Sequence, residues 1–185
     1  MFCQRRRLYR PATPIGACSL GETNQDYVDR LGAELVNRIE ALGPENVAGF
    51  VAEPVVGSTV GAVPFVSGYL WRIQEVCRDF GVLFIVDDVM CGMGSSGDLF
   101  THATDHVVPD MVAIGKGLAA GYQPISALLL TDGVHLSIAE GSGILRNGQT
   151  HVNHAIACSV ALSVQKIVER DELVARAADL WLAVA

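Results

Sequence analysis

The chain has 185 residues, enough for one domain with a sizeable core. A net charge of -7 and a pI of about 5.1 argue against a nucleic-acid-binding protein, because the only run of basic residues is Arg5–Arg7. Half of the residues are hydrophobic and the mean hydropathy is +0.35, yet no uninterrupted apolar stretch reaches the roughly 18 residues of a membrane helix.

The first half of the chain predicts an irregular segment followed by alternating helices and strands. Pro11 and Pro14 prevent a helix within residues 1–24. Apolar residues then recur at steps of three or four from Asn24, the predicted N-cap, until Gly-Pro at 43–44 ends the helix. The later elements predicted here are a strand at 47–53, a loop at 55–66, a helix from Ser67 to Phe80 and a strand at 82–86 that ends in Asp87.

The second half of the chain continues this alternation. The predicted elements are strands at 111–114 and 125–130 and helices at 153–169 and 171–184. The apolar strand at 82–86 is continuous rather than alternating, which is typical of a parallel sheet covered on both sides. The predicted fold class is therefore α/β, with a mainly parallel sheet and helices on both faces.

The cysteines indicate the cellular setting. The chain has five of them, an odd number, and no C-x-x-C pair. This pattern favours reduced thiols and a cytoplasmic location over a disulfide framework. Together with the acidic charge and the lack of an apolar span, it predicts that neither a nucleic acid nor a membrane is a partner.

Two charged side chains are predicted at the ends of strands, where α/β proteins bind their ligands. Asp87 ends one apolar strand, and Lys116 follows another between Gly115 and Gly117. Taken singly, the carboxylate could bond to loop amides and the lysine could be solvated. Together they suit pyridoxal phosphate (PLP), which needs a lysine amine for a Schiff base and an acid that keeps its pyridine nitrogen protonated.

Three other motifs are weaker candidates. Residues 92–97 read G-x-G-x-x-G, but residues 87–91 separate them from the strand and no convincing helix follows, so dinucleotide binding is disfavoured. A strand that ends in two aspartates resembles the magnesium-binding acid of P-loop NTPases, but the phosphate-binding motif is missing. His102 and His106 have the spacing of a zinc pair without the glutamate of H-E-x-x-H, so no metal site is predicted.

Four segments occur in a defined order along the chain. They are FVAEPVVG (50–57), FIVDDVMCGMG (84–94), PDMVAIGKGLAAGYQP (109–124) and GQTH (148–151) with HAIAC (154–158). In this order they resemble the AEP strand, the IADEV-TGFG motif, the Schiff-base segment and the HTY-GHP-AC region of class III aminotransferases. The resemblance extends over roughly residues 45–175 and implies the large domain of a fold-type I PLP enzyme, incomplete in this sequence.

The resemblance implies roles for five residues. Lys116 would be the catalytic lysine that carries the cofactor, and Asp87 would pair with the pyridine nitrogen. Val89 would pack on the ring face, and Glu53 would lie near the cofactor on the substrate side. Thr150 would bind the phosphate of a cofactor in the neighbouring subunit, which implies a homodimer. The implied reaction is the transfer of an amino group between an amine or amino acid and a keto acid.

The sequence departs from the family pattern at several positions. Asp88 stands where the family has Glu, and Met93 and Ser95 replace the aromatic residue and arginine of GFGRTG. Ala155 replaces the proline after the late histidine. None of these changes removes the lysine or the acid on which the PLP hypothesis depends.

The resemblance also implies a division of the chain into domains. Residues 1–24 would precede a partial PLP-binding large domain at 25–185, and the C-terminal small domain would be absent. The alternative to an active transaminase is a truncated, catalytically incompetent fragment that keeps the fold and the dimer surface. A further alternative is another PLP activity on the same scaffold, such as a mutase or a racemase.

Overall fold

The computed structural model describes residues 6–9, 21–57 and 61–184. The strands in these residues are β1 (Arg6–Tyr9), β2 (Val47–Ala52), β3 (Val55–Val56), β4 (Val63–Pro64), β5 (Leu83–Asp87), β6 (Met111–Ile114) and β7 (Ala127–Leu130). The helices are α1 (Asn24–Leu42), α2 (Tyr69–Asp79), α3 (Asp132–Glu140), α4 (Ala155–Arg170) and α5 (Leu173–Val184). Within these described ranges, no helix combines the length and apolarity needed to cross a membrane.

One compact unit consists of the described parts of Met1–Asp87 together with His102–Pro109. Its strands β1, β2 and β5 are parallel, with β2 in the middle. Helices α1 and α2 pack against each other, and α2 contacts β2 and β5. The largest fully buried apolar side chains in this unit are Tyr27, Phe50, Phe84, Ile39, Leu70 and Ile73.

Helix α1 has the bounds that its apolar periodicity predicts, with one correction at its N-terminus. The N-cap is Thr23 rather than Asn24. Thr23 Oγ1 accepts a hydrogen bond from the Asp26 backbone N–H at 3.2 Å, and Asp26 Oδ2 accepts one from the Thr23 N–H at 3.1 Å. This reciprocal capping box satisfies two amides that the first turn leaves without helical partners.

Helix α2 is capped by a residue that is distant in sequence. The sequence predicts Ser67 as the cap, but the helix begins at Tyr69 after Gly68, whose φ is 87°. The buried carboxylate of Asp105 accepts hydrogen bonds from the Gly68 N–H at 2.8 Å and the Leu70 N–H at 2.9 Å. A carboxylate at this end also interacts favourably with the helix dipole.

Replacing Asp105 with alanine should therefore destabilise this unit. The loss of a capping carboxylate costs about 1–2 kcal/mol of unfolding free energy, and the two amides at the start of α2 would be left without it. Urea unfolding of Asp105→Ala measures the change, and Asp98→Ala, at an exposed loop position, is the matched control. Equal stability of the two variants would show that Asp105 does not hold the helix start.

A second compact unit consists of Asp88–Thr101 and Asp110–Ala185, in its described part. Strands β6 and β7 pair antiparallel, from Met111 opposite Leu130 to Ile114 opposite Ala127. Helix α4 packs on α5 and on the short 3-10 turn Lys116–Leu118. The apolar residues buried in this unit are Cys91, Val112, Ile114, Ala119, Ala157, Ala161 and Val164.

Strand β7 is unusually exposed for an apolar segment. All four of its residues are exposed, and the exposed fractions of Leu128, Leu129 and Leu130 are 54%, 41% and 39%. β-Strands normally bury at least one face. This apolar strand is therefore a surface of the second unit that its own residues leave open to solvent.

The predicted α/β class with a mainly parallel sheet is confirmed. Two local expectations are corrected. Residues 6–9, expected to be irregular, form β1 because their backbone pairs with β2, while residues 1–5 and 10–20 lie outside the described part of the chain. The loop expected at 55–66 contains the short antiparallel pair β3–β4, with residues 58–60 outside the described ranges.

Candidate active site

Glu53 and Asp87 lie at the same edge of the parallel sheet. Ala52 in β2 is the register partner of Val86 in β5, and each carboxylate follows its paired residue directly. Both side chains are half-buried, and Glu53 Oε2 accepts a hydrogen bond from the Gly57 N–H at 3.1 Å. The structure thus brings two of the five predicted site residues together, at the carboxyl ends of adjacent strands.

Asp88 is the centre of a tight turn after β5. Its side chain is fully buried, and its Oδ1 accepts a hydrogen bond from the Cys91 thiol at 2.9 Å. Its backbone N–H donates to the Ala113 carbonyl at 2.9 Å, and its carbonyl accepts from the Gly92 N–H at 2.8 Å. A buried carboxylate is costly unless donors meet it, so these contacts fix the turn against β6.

Lys116 follows β6 in a strained backbone conformation. Gly115 is extended, with φ of -171°, and Lys116 then starts a 3-10 turn that ends at Leu118. The φ of Lys116 is +41°, in the left-handed region that residues with a Cβ rarely adopt. Its side chain is exposed. Strain of this kind clusters at functional sites, where the surrounding structure maintains it.

The glycines on either side of Lys116 allow close packing. A Cβ added to Gly115 would lie 3.3 Å from Val89 Cγ1, and one added to Gly117 would lie 3.0 Å from Met93 Cβ. Side chains at 115 and 117 would therefore push the lysine turn away from the loop that follows β5. The structure places Val89, a predicted ring-packing residue, beside Gly115, which directly precedes Lys116.

Thr150 lies in an exposed turn ahead of α4. The turn includes His151, whose ring meets that of His154 edge to face at a centroid distance of 6.1 Å. His154 Nδ1 in turn accepts a hydrogen bond from the Ala157 N–H at 3.4 Å at the start of α4. The phosphate-binding role implied for Thr150 stays a prediction.

Gln165 contacts the lysine turn, and the sequence does not predict this contact. From α4 its Nε2 donates to the Leu118 carbonyl at 3.0 Å and the Gly117 carbonyl at 3.3 Å. A glutamine within a helix carries no local signal for such a contact, because the contact depends on how the helix packs against a distant turn.

The glycine motif at 92–97 has a packing role. Its residues form turns and bends, and no helix follows them directly, unlike in a dinucleotide-binding loop. Gly94 and Gly97 have φ values of 95° and 92°. A Cβ at Gly94 would lie 2.9 Å from Val174 Cγ2, and one at Gly97 would lie 3.0 Å from Ala178 Cβ. These glycines let the loop approach α5 closely.

Solved structures that share this fold and sequence similarity with the chain are transaminases. An omega transaminase of Pseudomonas jessenii, a thermostable fourfold mutant, superposes with a TM-score of 0.79 at 38% sequence identity, covering 85% of this chain and 35% of that one. A model of the family "Aminotransferase class-III" matches residues 13–183. The chain belongs to the class III aminotransferase family, which confirms the resemblance inferred from its motifs.

Sequence relatives agree with this family. An aminotransferase of Gibberella zeae is 41% identical over 154 residues, which are 83% of this chain and 30% of the relative. An uncharacterized aminotransferase of Schizosaccharomyces pombe is 42% identical over 160 residues, 86% of this chain and 35% of the relative. The chain spans about a third of the length of the curated relatives it matches.

Proposed function

We propose that this chain takes part in PLP-dependent transamination, the transfer of an amino group between an amine or amino acid and a keto acid. The observation that carries the proposal is Lys116 in a family of aminotransferases: a lysine at the end of β6, in a left-handed turn between two closely packed glycines. PLP supplies an aldehyde that condenses with amines and a ring that withdraws electrons from the carbon beside the nitrogen.

The residues present fit such a cofactor in their chemistry. The Lys116 amine would hold the cofactor covalently and move the proton at the substrate carbon. The Asp87 carboxylate would hold the proton on the pyridine nitrogen, and Val89 would pack on the ring face. Glu53 would border the substrate side, and Thr150 would bind the phosphate in the neighbouring subunit. These five roles are carried over from the family motifs, and the position of Val89 beside Gly115, directly before Lys116, supports one of them.

Substrates, a partner subunit and a cellular location can be proposed as well. We infer small-molecule substrates, an amino donor and a keto acid acceptor, because the family consists of aminotransferases. We infer a homodimer because the role of Thr150 requires a second subunit. We infer a cytoplasmic location from the odd number of cysteines and the lack of a C-x-x-C pair, a pattern that favours reduced thiols.

Trapping of the cofactor tests the proposal directly. The purified protein is incubated with PLP, reduced with borohydride, digested and mapped by mass spectrometry. The chain has only two lysines, so Lys166, exposed on α4, is an internal reference for nonspecific reaction. We expect the adduct at Lys116, because only this lysine has the strained turn and glycine flanks. Equal labelling of both lysines, or none, would instead favour a fragment that does not bind the cofactor specifically.

Product analysis separates transamination from a mutase or racemase. With an amino acid donor and a keto acid acceptor, a transaminase yields a new keto acid and a new amino acid in equal amounts. A mutase or racemase rearranges a single substrate and forms no second product.

A further inference from the structure

A side chain of α4 donates hydrogen bonds to the turn that begins at Lys116. Gln165 lies on α4, half-buried, and its Nε2 reaches two carbonyls of the turn, those of Leu118 at 3.0 Å and Gly117 at 3.3 Å. These are the carbonyls of the two residues that directly follow Lys116. The contact joins parts of the chain almost fifty residues apart, and both parts belong to the second unit.

The backbone of Lys116 has a left-handed conformation, which persists only where neighbouring groups maintain it. Lys116 has φ of +41°. The hydrogen bonds within the turn run from the Leu118 N–H to the Gly115 carbonyl at 2.8 Å and from the Ala119 N–H to the Lys116 carbonyl at 3.3 Å. A left-handed residue with a Cβ persists only when its surroundings maintain it. The two carbonyls bound by Gln165 are fixed in direction only while that backbone conformation is kept.

The packing of helix α4 fixes the position of Gln165. It spans 16 residues, and its buried residues Ala157, Ala161 and Val164 form one side of it. Val164 directly precedes Gln165, and α4 packs on the lysine turn and on α5. The position of the side-chain amide is therefore set by helix packing.

We propose that Gln165 is a positioning residue for Lys116, and this inference rests on the proposed role of Lys116 in PLP binding. By donating to the Gly117 and Leu118 carbonyls, Gln165 holds the turn in the conformation in which the Lys116 amine meets the cofactor. Without this donor the turn samples conformations with negative φ at residue 116. The amine then occupies the reactive position for a smaller fraction of the time.

Two substitutions distinguish the effect of the hydrogen-bond donor of Gln165 from the effect of its size and shape. Gln165→Met keeps the approximate length and removes the donor. Gln165→Glu keeps the shape almost unchanged, but an ionised carboxylate only accepts hydrogen bonds and would face two carbonyl oxygens. A protonated carboxyl donates again, so the reaction rate of the Glu variant relative to unsubstituted protein should rise as the pH falls from 7 towards 5. A purely structural role would not give this pH dependence.

The matched control is Gln74→Met. Like Gln165, Gln74 donates from its Nε2 to the backbone, in this case to the Val108 carbonyl at 2.7 Å. Gln74 and Val108 belong to the other compact unit. The control reports what the loss of a glutamine-to-backbone bond does in general, away from the lysine turn.

The measurements are the rate of the borohydride-trapped PLP adduct at Lys116 and the hydrogen exchange of amides 115–120 in the cofactor-free protein. We expect both Gln165 variants at pH 7 to form the adduct about three- to tenfold more slowly, the scale of one or two hydrogen bonds. We also expect faster exchange in the turn and unchanged exchange in the middle of α4. Gln74→Met should match the unsubstituted protein in both respects.

A Gln165→Met variant that reacts at the unsubstituted rate, or a Gln74→Met variant that is slowed equally, would overturn the inference. Unchanged rates in Gln165→Glu would also overturn it, because shape alone would then suffice. If the unsubstituted protein forms no adduct, the proposed function fails. The exchange rates would then decide by themselves whether Gln165 holds the turn.

Discussion

Lys116→Ala should abolish the borohydride-trapped PLP adduct and the accompanying absorbance near the edge of the visible range. No other side chain at this turn carries a primary amine, and covalent attachment of the cofactor requires one. The effect is a complete loss rather than a reduction, because alanine can neither form the bond nor move the proton. Absorbance spectra and peptide mapping of the variant measure both consequences.

The control for this variant is Lys166→Ala, which removes the only other lysine of the chain. Lys166 is exposed on α4, and its loss should leave the adduct at Lys116 intact. Circular dichroism should show the same helix content in both variants, since alanine at position 116 keeps a Cβ and meets the same backbone constraint. An adduct that survives in Lys116→Ala but disappears in Lys166→Ala would show that Lys166, and not Lys116, carries the cofactor.

Asp87→Asn should lower turnover by about a hundredfold, equivalent to about 2.7 kcal/mol of activation free energy. Asparagine has nearly the same size but no charge, so it cannot hold a proton on the pyridine nitrogen, and an unprotonated ring withdraws electrons poorly. Steady-state kinetics with an amino acid donor and a keto acid acceptor give the change in kcat.

The Asp87 variant has a second expected property. Because Lys116 is intact, the trapped adduct should still form. The substitution should therefore lower turnover without preventing covalent attachment of the cofactor. Asp98→Asn, at an exposed loop position, makes the same chemical change elsewhere and should leave kcat unchanged. An Asp87→Asn variant with undiminished kcat would remove this carboxylate from the proposed chemistry.

Elements with a strong local pattern could be predicted from the sequence. The helix from Asn24 to Leu42 has an apolar stripe and a Gly-Pro stop, and the structure has the same bounds. The strand predicted at 111–114 is likewise observed at Met111–Ile114. The residues at the ends of such strands can then be identified, and they include the candidate site residues Asp87 and Lys116.

Features that depend on tertiary contacts could not be predicted. Strand β1 has only four residues and exists through pairing with β2. The sequence predicts a helix start at Ser67, but α2 begins at Tyr69. The capping carboxylate of Asp105 lies 35 residues from Leu70, so no local pattern reveals it. The contact of Gln165 with the Leu118 carbonyl depends in the same way on helix packing.

The left-handed backbone at position 116 carries a cost in stability, whatever chemistry Lys116 performs. Glycine would adopt a φ of +41° without the steric penalty that any side chain incurs, which is about 1 kcal/mol. Lys116→Gly should consequently melt at a higher temperature than Lys116→Ala while being equally inert towards the cofactor. The backbone conformation that carries the amine would therefore have a lower energy with glycine, which has no side chain.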